Sequence, residues 1–173
     1  MKSQDGVFKL TFLSLAVAAG VALSPFSIPL GVAKAFPVQH AVNVLLGVLL
    51  GPIPAVGAAF VTSLIRVMMG TGTLLAFPGS MIGAYLGGWL YQKSRGKILF
   101  AFAGEVIGTG LLGALAAYPV AAFVMSRDVA LYAFVLPFTA SCAVGAAISV
   151  VLVMALRQAG VLDMMQRRLK PQA

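Results

Sequence analysis

The 173 residues are 61% hydrophobic and only 9% charged, with a mean hydropathy of +1.03. Soluble domains carry roughly a quarter charged residues, which excludes that class, and long apolar runs without alternation exclude a β-barrel. The formal charge of +8 is scattered between apolar runs, the pattern of a membrane topology signal rather than of a nucleic-acid surface.

The reading is therefore an all-α, polytopic integral membrane protein, because lipid offers no partners to an open sheet. Lone Cys142 permits no internal disulfide and reads as packing, and with a single histidine neither a metal cluster nor a cofactor is expected. Met1 to Lys9 and the apolar run after them resemble a signal peptide. The run exceeds a typical h-region, so a retained first helix over about 8–24 is expected. Pro25 and Pro29 then break the chain into an irregular segment reaching Lys34. The apolar stretch from Phe36 to Met69 is too long for one span, and Gly51-Pro52-Ile53-Pro54 divides it into helices over about 37–50 and 53–69. A loop at 70–77 leads to a helix over about 78–92. The basic turn Lys93 to Lys97 precedes a helix over about 98–118, with a possible extension to Met125. Ser126-Arg127-Asp128 supplies cap residues before a last helix over about 129–156, in which Pro137 marks a kink or a second start. Residues 157–173 read as a basic tail.

A six-helix bundle places both ends on one side. Lys2, Lys9, Lys93, Arg95, Lys97, Arg157, Arg167, Arg168 and Lys170 then share that side, leaving Lys34, Arg66 and Arg127 at or toward the other. The positive-inside bias makes both termini cytoplasmic, and five spans would separate the basic clusters. The multi-pass chain is expected in the cell membrane. The starts of the second, fourth and sixth helices, with their positive dipole ends, face outward.

Polar residues collect near those starts. Pro37 suits a first helical turn, and Gln39, His40 and Asn43 then share one helix face. Ala35-Phe36-Pro37 recurs as Ala76-Phe77-Pro78, with Thr71, Thr73 and Ser80 close by. These helices either converge on one ligand or use their polar residues only to hold neighbours together. Glu105 is the one acid well inside an expected span, so it must face a cavity or a partner, and Thr109 lies one turn on. A clasp of Glu105 with Arg66 or His40 is the structural alternative to ligand contact. On the ligand reading, Gln39, His40 and Asn43 bond a ring nitrogen or hydroxyl, and Glu105 accepts from the hydroxyl or polarises a neighbour. Phe36, Phe77, Tyr85 and Tyr118 are candidates for flat apolar walls.

Small residues recur at spacing four: Ser14, Ala18 and Ala22 beside Ala16, Gly20 and Ser24, then Gly79, Gly83 and Gly87, then Gly104 and Gly108. The last two sets read as packing within the bundle, whereas the doubled stripe of the first helix suits a partner outside it. No G-x-x-x-x-G-K-[ST] sequence is present, and Gly79-Ser80-Met81-Ile82-Gly83 is not a G-x-S-x-G elbow. An intramembrane enzyme using Ser80 with His40, or Glu105, and a stand-alone small-molecule channel remain as competing readings.

Four stretches carry a family resemblance: Ser24-Pro-Phe-Ser-Ile-Pro-Leu-Gly-Val-Ala-Lys34, Phe36-Pro-Val-Gln-His40, Gly70-Thr-Gly-Thr-Leu-Leu-Ala-Phe-Pro-Gly-Ser-Met-Ile-Gly83 and Gly104-Glu-Val-Ile-Gly-Thr-Gly110. They resemble ThiW, the thiazole-type substrate-binding subunit, or S component, of energy-coupling factor (ECF) transporters, over about residues 8–157. The resemblance implies a non-enzymatic, six-helix membrane subunit that captures a vitamin precursor at its outer face. The implied substrate is hydroxyethylthiazole, the thiazole half of thiamin. A separate membrane coupling protein and two ATPases would supply energy, in keeping with the missing P-loop. The A-x-x-x-A contact motif of S components is met loosely by Ala18 and Ala22, with Ser14 extending the stripe.

Overall fold

The computed structural model describes residues 2–30 and 33–169. Helix α1 spans Lys2–Ala22, and a short antiparallel hairpin follows, β1 (Ile28–Leu30) with β2 (Ala33–Ala35). Then come α2 (Pro37–Leu50), α3 (Pro52–Met68) and α4 (Ala76–Lys93). A continuous helix α5 runs Ile98–Val124, followed by α6 (Val135–Gln158) and α7 (Val161–Leu169).

Prolines set several of these limits. Pro37 and Pro52 each stand in a first helical turn, where the missing N–H has no partner to lose. Between α2 and α3, Gly51 turns the chain at φ 89°, a left-handed conformation that favours glycine.

Several expectations change. The 25–34 segment is not irregular throughout, since Ile28 pairs with Ala35 and Pro29 with Lys34. The first helix starts earlier than residue 8 and ends at Ala22. The fourth helix begins at Ala76, so Pro78 lies inside its first turn. The sixth begins at Val135 rather than 129, which puts Pro137 in a first turn without a kink. The basic segment after Arg157 is not a free tail: Leu162 and Leu169 of α7 are 1% exposed. Gln166 Nε2 donates to the Val48 carbonyl at 3.1 Å, and Arg157 Nη2 to the Gly96 carbonyl at 3.1 Å.

The exterior is apolar and much of the polar chemistry is inside. Leu99, Leu111, Phe123, Leu136 and Val151 are exposed, while Arg66, Glu105, Asn43 and Thr109 are fully buried. That inversion is what a lipid solvent selects. Helices α5 and α6 are long and apolar enough to cross a membrane, and Gly6–Ala22, α2 and α3 are shorter apolar helices.

A run of close backbone approaches joins α4 to α5. A Cβ on Gly104 would stand 2.7 Å from the Gly87 Cα, one on Gly108 2.7 Å from the Gly83 Cα, and one on Gly113 2.6 Å from the Gly79 Cα. The glycines of α4 are spaced four and four, those of α5 four and five. In an α-helix a fifth residue would swing Gly113 about 140° off the shared face. The π-helical stretch Val106–Gly113 absorbs the extra residue and keeps the two glycine rows opposed. This packing sets the depth of Glu105 and Thr109 against Gly83.

Candidate functional site

The starts of α2, α4 and α6 and the end of α3 surround a cavity of about 290 Å³. Small-molecule pockets run roughly 300–1,000 Å³, so this one suits a single substituted ring. Pro29 of the hairpin, Thr71, Thr73 and Arg127 stand at its rim, and Phe36, Gln39, His40, Ser80 and Thr109 line it deeper in. Seven candidates from the sequence thus meet here: Phe36, Gln39, His40, Thr71, Thr73, Ser80 and Thr109.

Asn43 and Glu105 lie behind the wall. His40 Nδ1 donates to Glu105 Oε1 at 2.8 Å, and Asn43 Nδ2 donates to the same oxygen at 3.2 Å and to the Ser80 carbonyl at 3.2 Å. Thr109 Oγ1 stands 3.1 Å from Glu105 Oε1 and 3.1 Å from the Gly79 carbonyl. Glu105 therefore touches the cavity only through His40 and Thr109. It clasps His40, and among the described residues it makes no ion pair with Arg66. The clasp fixes Nδ1 as the donor and leaves His40 Nε2 without a partner among the described residues.

Gln39 is fully engaged. Its Nε2 donates to Ser63 Oγ and Ser80 Oγ, both at 2.9 Å, and its Oε1 accepts from Arg66 Nη1. The bonding partners of Ser80 Oγ are thus Gln39 and Ser63, so the Ser80–His40 dyad of an intramembrane enzyme is not assembled. The 70–73 loop is fastened from both sides. The backbone N–H groups of Thr71 and Gly72 donate to the Arg66 carbonyl, and Ser24 Oγ donates to Thr71 Oγ1 at 3.0 Å.

The remaining expected aromatic walls are absent from the cavity. Tyr85 is 42% exposed on the outer surface, Phe77 packs on Phe60 with ring centroids 5.4 Å apart, and Tyr118 is half-buried elsewhere. Phe77 stands two residues before the buried Gly79, and Tyr85 two residues after the buried Gly83. Two residues are about 200° around a helix, the face opposite the glycine row. Phe36 does line the cavity, and Phe138 of α6 supplies a second ring.

Arg66, Arg127, Phe138 and Ser141 are among the lining residues that the sequence did not mark as ligand contacts. Arg66, read as an outer-side cation and a possible clasp partner of Glu105, is 1% exposed, with its guanidinium 3.7 Å from the Phe36 ring centroid. Ser141 accepts from the Phe36 N–H at 2.7 Å, capping the start of α2 from α6. Its spacing of four from Pro137 was the available signal. Ser14, Ala18 and Ala22 are all exposed on the outer face of α1, while Gly20 packs against Thr62 on the inner face.

An apolar exterior around a cavity that gathers buried polar side chains defines a helical membrane protein built to hold a small molecule. The sequence profile of the thiamine-precursor transporter protein (ThiW) family matches residues 10–159. The chain belongs to that family of membrane transporters. No curated protein and no solved structure gives a significant match.

Proposed function

We propose that the chain is the substrate-binding subunit of an ECF-type transporter and captures a hydroxyethylthiazole-like thiamin precursor in the cavity described above. The observation that carries this reading is a cavity sized for one ring, held by a family member whose transported compound is a thiamine precursor. His40 Nε2 accepts from the ligand's hydroxyl, Phe36 and Phe138 flank the ring, and Thr73 and Thr109 supply hydroxyls. Gln39, Asn43 and Glu105 hold these groups in place. The hairpin and the 70–73 loop form the lid, and the bundle carries six spans with both termini and α7 on the cytoplasmic side. The basic groups of Lys93, Lys97, Arg157 and Arg167 support that orientation. A membrane coupling protein meets the exposed Ser14, Ala18 and Ala22 face, and two ATPases drive it.

Native mass spectrometry of the protein purified from a thiazole-fed host, followed by calorimetric titration with hydroxyethylthiazole and its derivatives, tests the reading. A retained thiazole compound is the expected result. A protein that neither retains nor binds any thiazole is not this subunit.

A further inference from the structure

Arg66 is the largest fully buried side chain described, at 1% exposure, and it lines the cavity. Its Nη1 donates to Gln39 Oε1, but among the described residues Nε and Nη2 have no hydrogen-bond partner. Those two nitrogens share one edge of the guanidinium, with parallel N–H bonds matched to two oxygens of one anion. The Phe36 ring covers the face of the group and supplies no acceptor for that edge. Among the described residues the one ion pair is His40 with Glu105, so no carboxylate neutralises Arg66. A guanidinium stays charged in proteins, and a buried charge without a counter-ion is strongly destabilising. Gln39, itself bonded to Ser63 and Ser80, holds the head group at Nη1. A second cation, Arg127, stands at the cavity rim.

From this we infer that the transported ligand is an anion, a thiazole bearing a carboxylate or a phosphate monoester, whose oxygens seat on the Nε–Nη2 edge of Arg66. The inference rests on the proposed thiazole uptake and specifies its substrate class. The neutral alcohol hydroxyethylthiazole leaves that edge unpaired, whereas an oxyanion supplies both acceptors and the missing charge. His40 then meets the opposite end of the ligand, and Arg127 draws the anion to the mouth.

Three probes decide the matter on purified wild-type protein: hydroxyethylthiazole, its phosphate monoester, and 4-methylthiazole-5-carboxylate. Titration calorimetry is expected to give at least one of the two anions a Kd about ten- to a hundredfold below that of the neutral alcohol. Whichever anion leads identifies the head group. Arg66→Gln is expected to remove that advantage of anion over alcohol, and Arg66→Lys to retain only part of it, having charge without the fork. Equal or tighter binding of the alcohol by the wild type overturns the anion assignment and leaves thiazole uptake standing. An anion preference that survives Arg66→Gln also overturns it, placing the contact elsewhere. Failure of all three probes to bind removes the thiazole reading itself. The wild-type ratio alone decides the outcome if neither variant folds.

Discussion

His40 and Glu105 are joined across 65 residues of sequence by a 2.8 Å hydrogen bond from Nδ1 to Oε1, with the carboxylate wholly buried and the imidazole on the cavity wall. The carboxylate sets which imidazole nitrogen faces the ligand, so it acts on binding through its partner. Breaking either half leaves the other as an unmatched buried group.

A double-mutant cycle measures that dependence. Glu105→Gln and His40→Gln are each expected to lower the apo melting temperature in detergent, through loss of a charge-assisted bond worth about 1.5–3 kcal/mol. Each should also weaken ligand binding about tenfold. The double variant is expected to lose little more than either single one. Strictly additive losses would mean the two residues act independently.

The glycine rows of α4 and α5 make a steric prediction. Gly108→Ala pushes a methyl to within 2.7 Å of the Gly83 Cα, where backbone on both sides leaves nothing flexible to yield. Overpacking of this kind destabilises by about 1–3 kcal/mol. Gly57→Ala, whose Cβ meets nothing within 4 Å, is the control and should melt near wild type. Equal melting of both variants would show that the two helices separate readily.

Much of this arrangement was readable from residue types, and the parts that were not have physical causes. Pro37, Pro52 and the Gly51 turn punctuate the chain locally, so α2 and α3 lie within one residue of expectation. The meeting of His40 with Glu105 was one of two clasps left open, and geometry decided between them. The β-hairpin was hidden because Pro25 and Pro29 read as breakers, although Pro29 occupies a hairpin strand. The π turn cannot be read from composition, since it answers to the spacing of glycines on a different helix. Arg66 stood in the sequence as a clasp partner for Glu105, and its true neighbours were hidden because only tertiary packing puts Phe36 and Gln39 around it.

Orientation can be tested with a clean background, because the native Cys142 is buried. Cysteines placed at Lys93 and Lys97, both exposed, are expected to react with maleimide only after membrane permeation. Cysteines at Leu74 and Leu131, exposed near the cavity end, should react in intact cells. Labelling of Lys97→Cys from outside would invert the proposed topology.

The two faces of α1 make opposite predictions. Ala18 is exposed, with Ser14 one turn before it and Ala22 one turn after, a flat surface on which another helix can approach closely. Gly20, two residues on, is buried with an added Cβ 3.1 Å from Thr62 Cγ2. A tryptophan at position 18 points into lipid in the isolated protein, where its ring is tolerated, but it holds a docking helix away. Ala18→Trp is therefore expected to fold, to bind ligand with unchanged Kd, and to lose co-purification with the coupling protein and ATPases, with uptake in cells lost as well. Gly20→Trp drives its ring into α3 and should lower the melting temperature of the isolated protein before any partner is added. A complex that survives Ala18→Trp intact moves the docking face off this stripe. Loss of ligand binding by isolated Ala18→Trp would mean that α1 turns this face toward the bundle in the membrane.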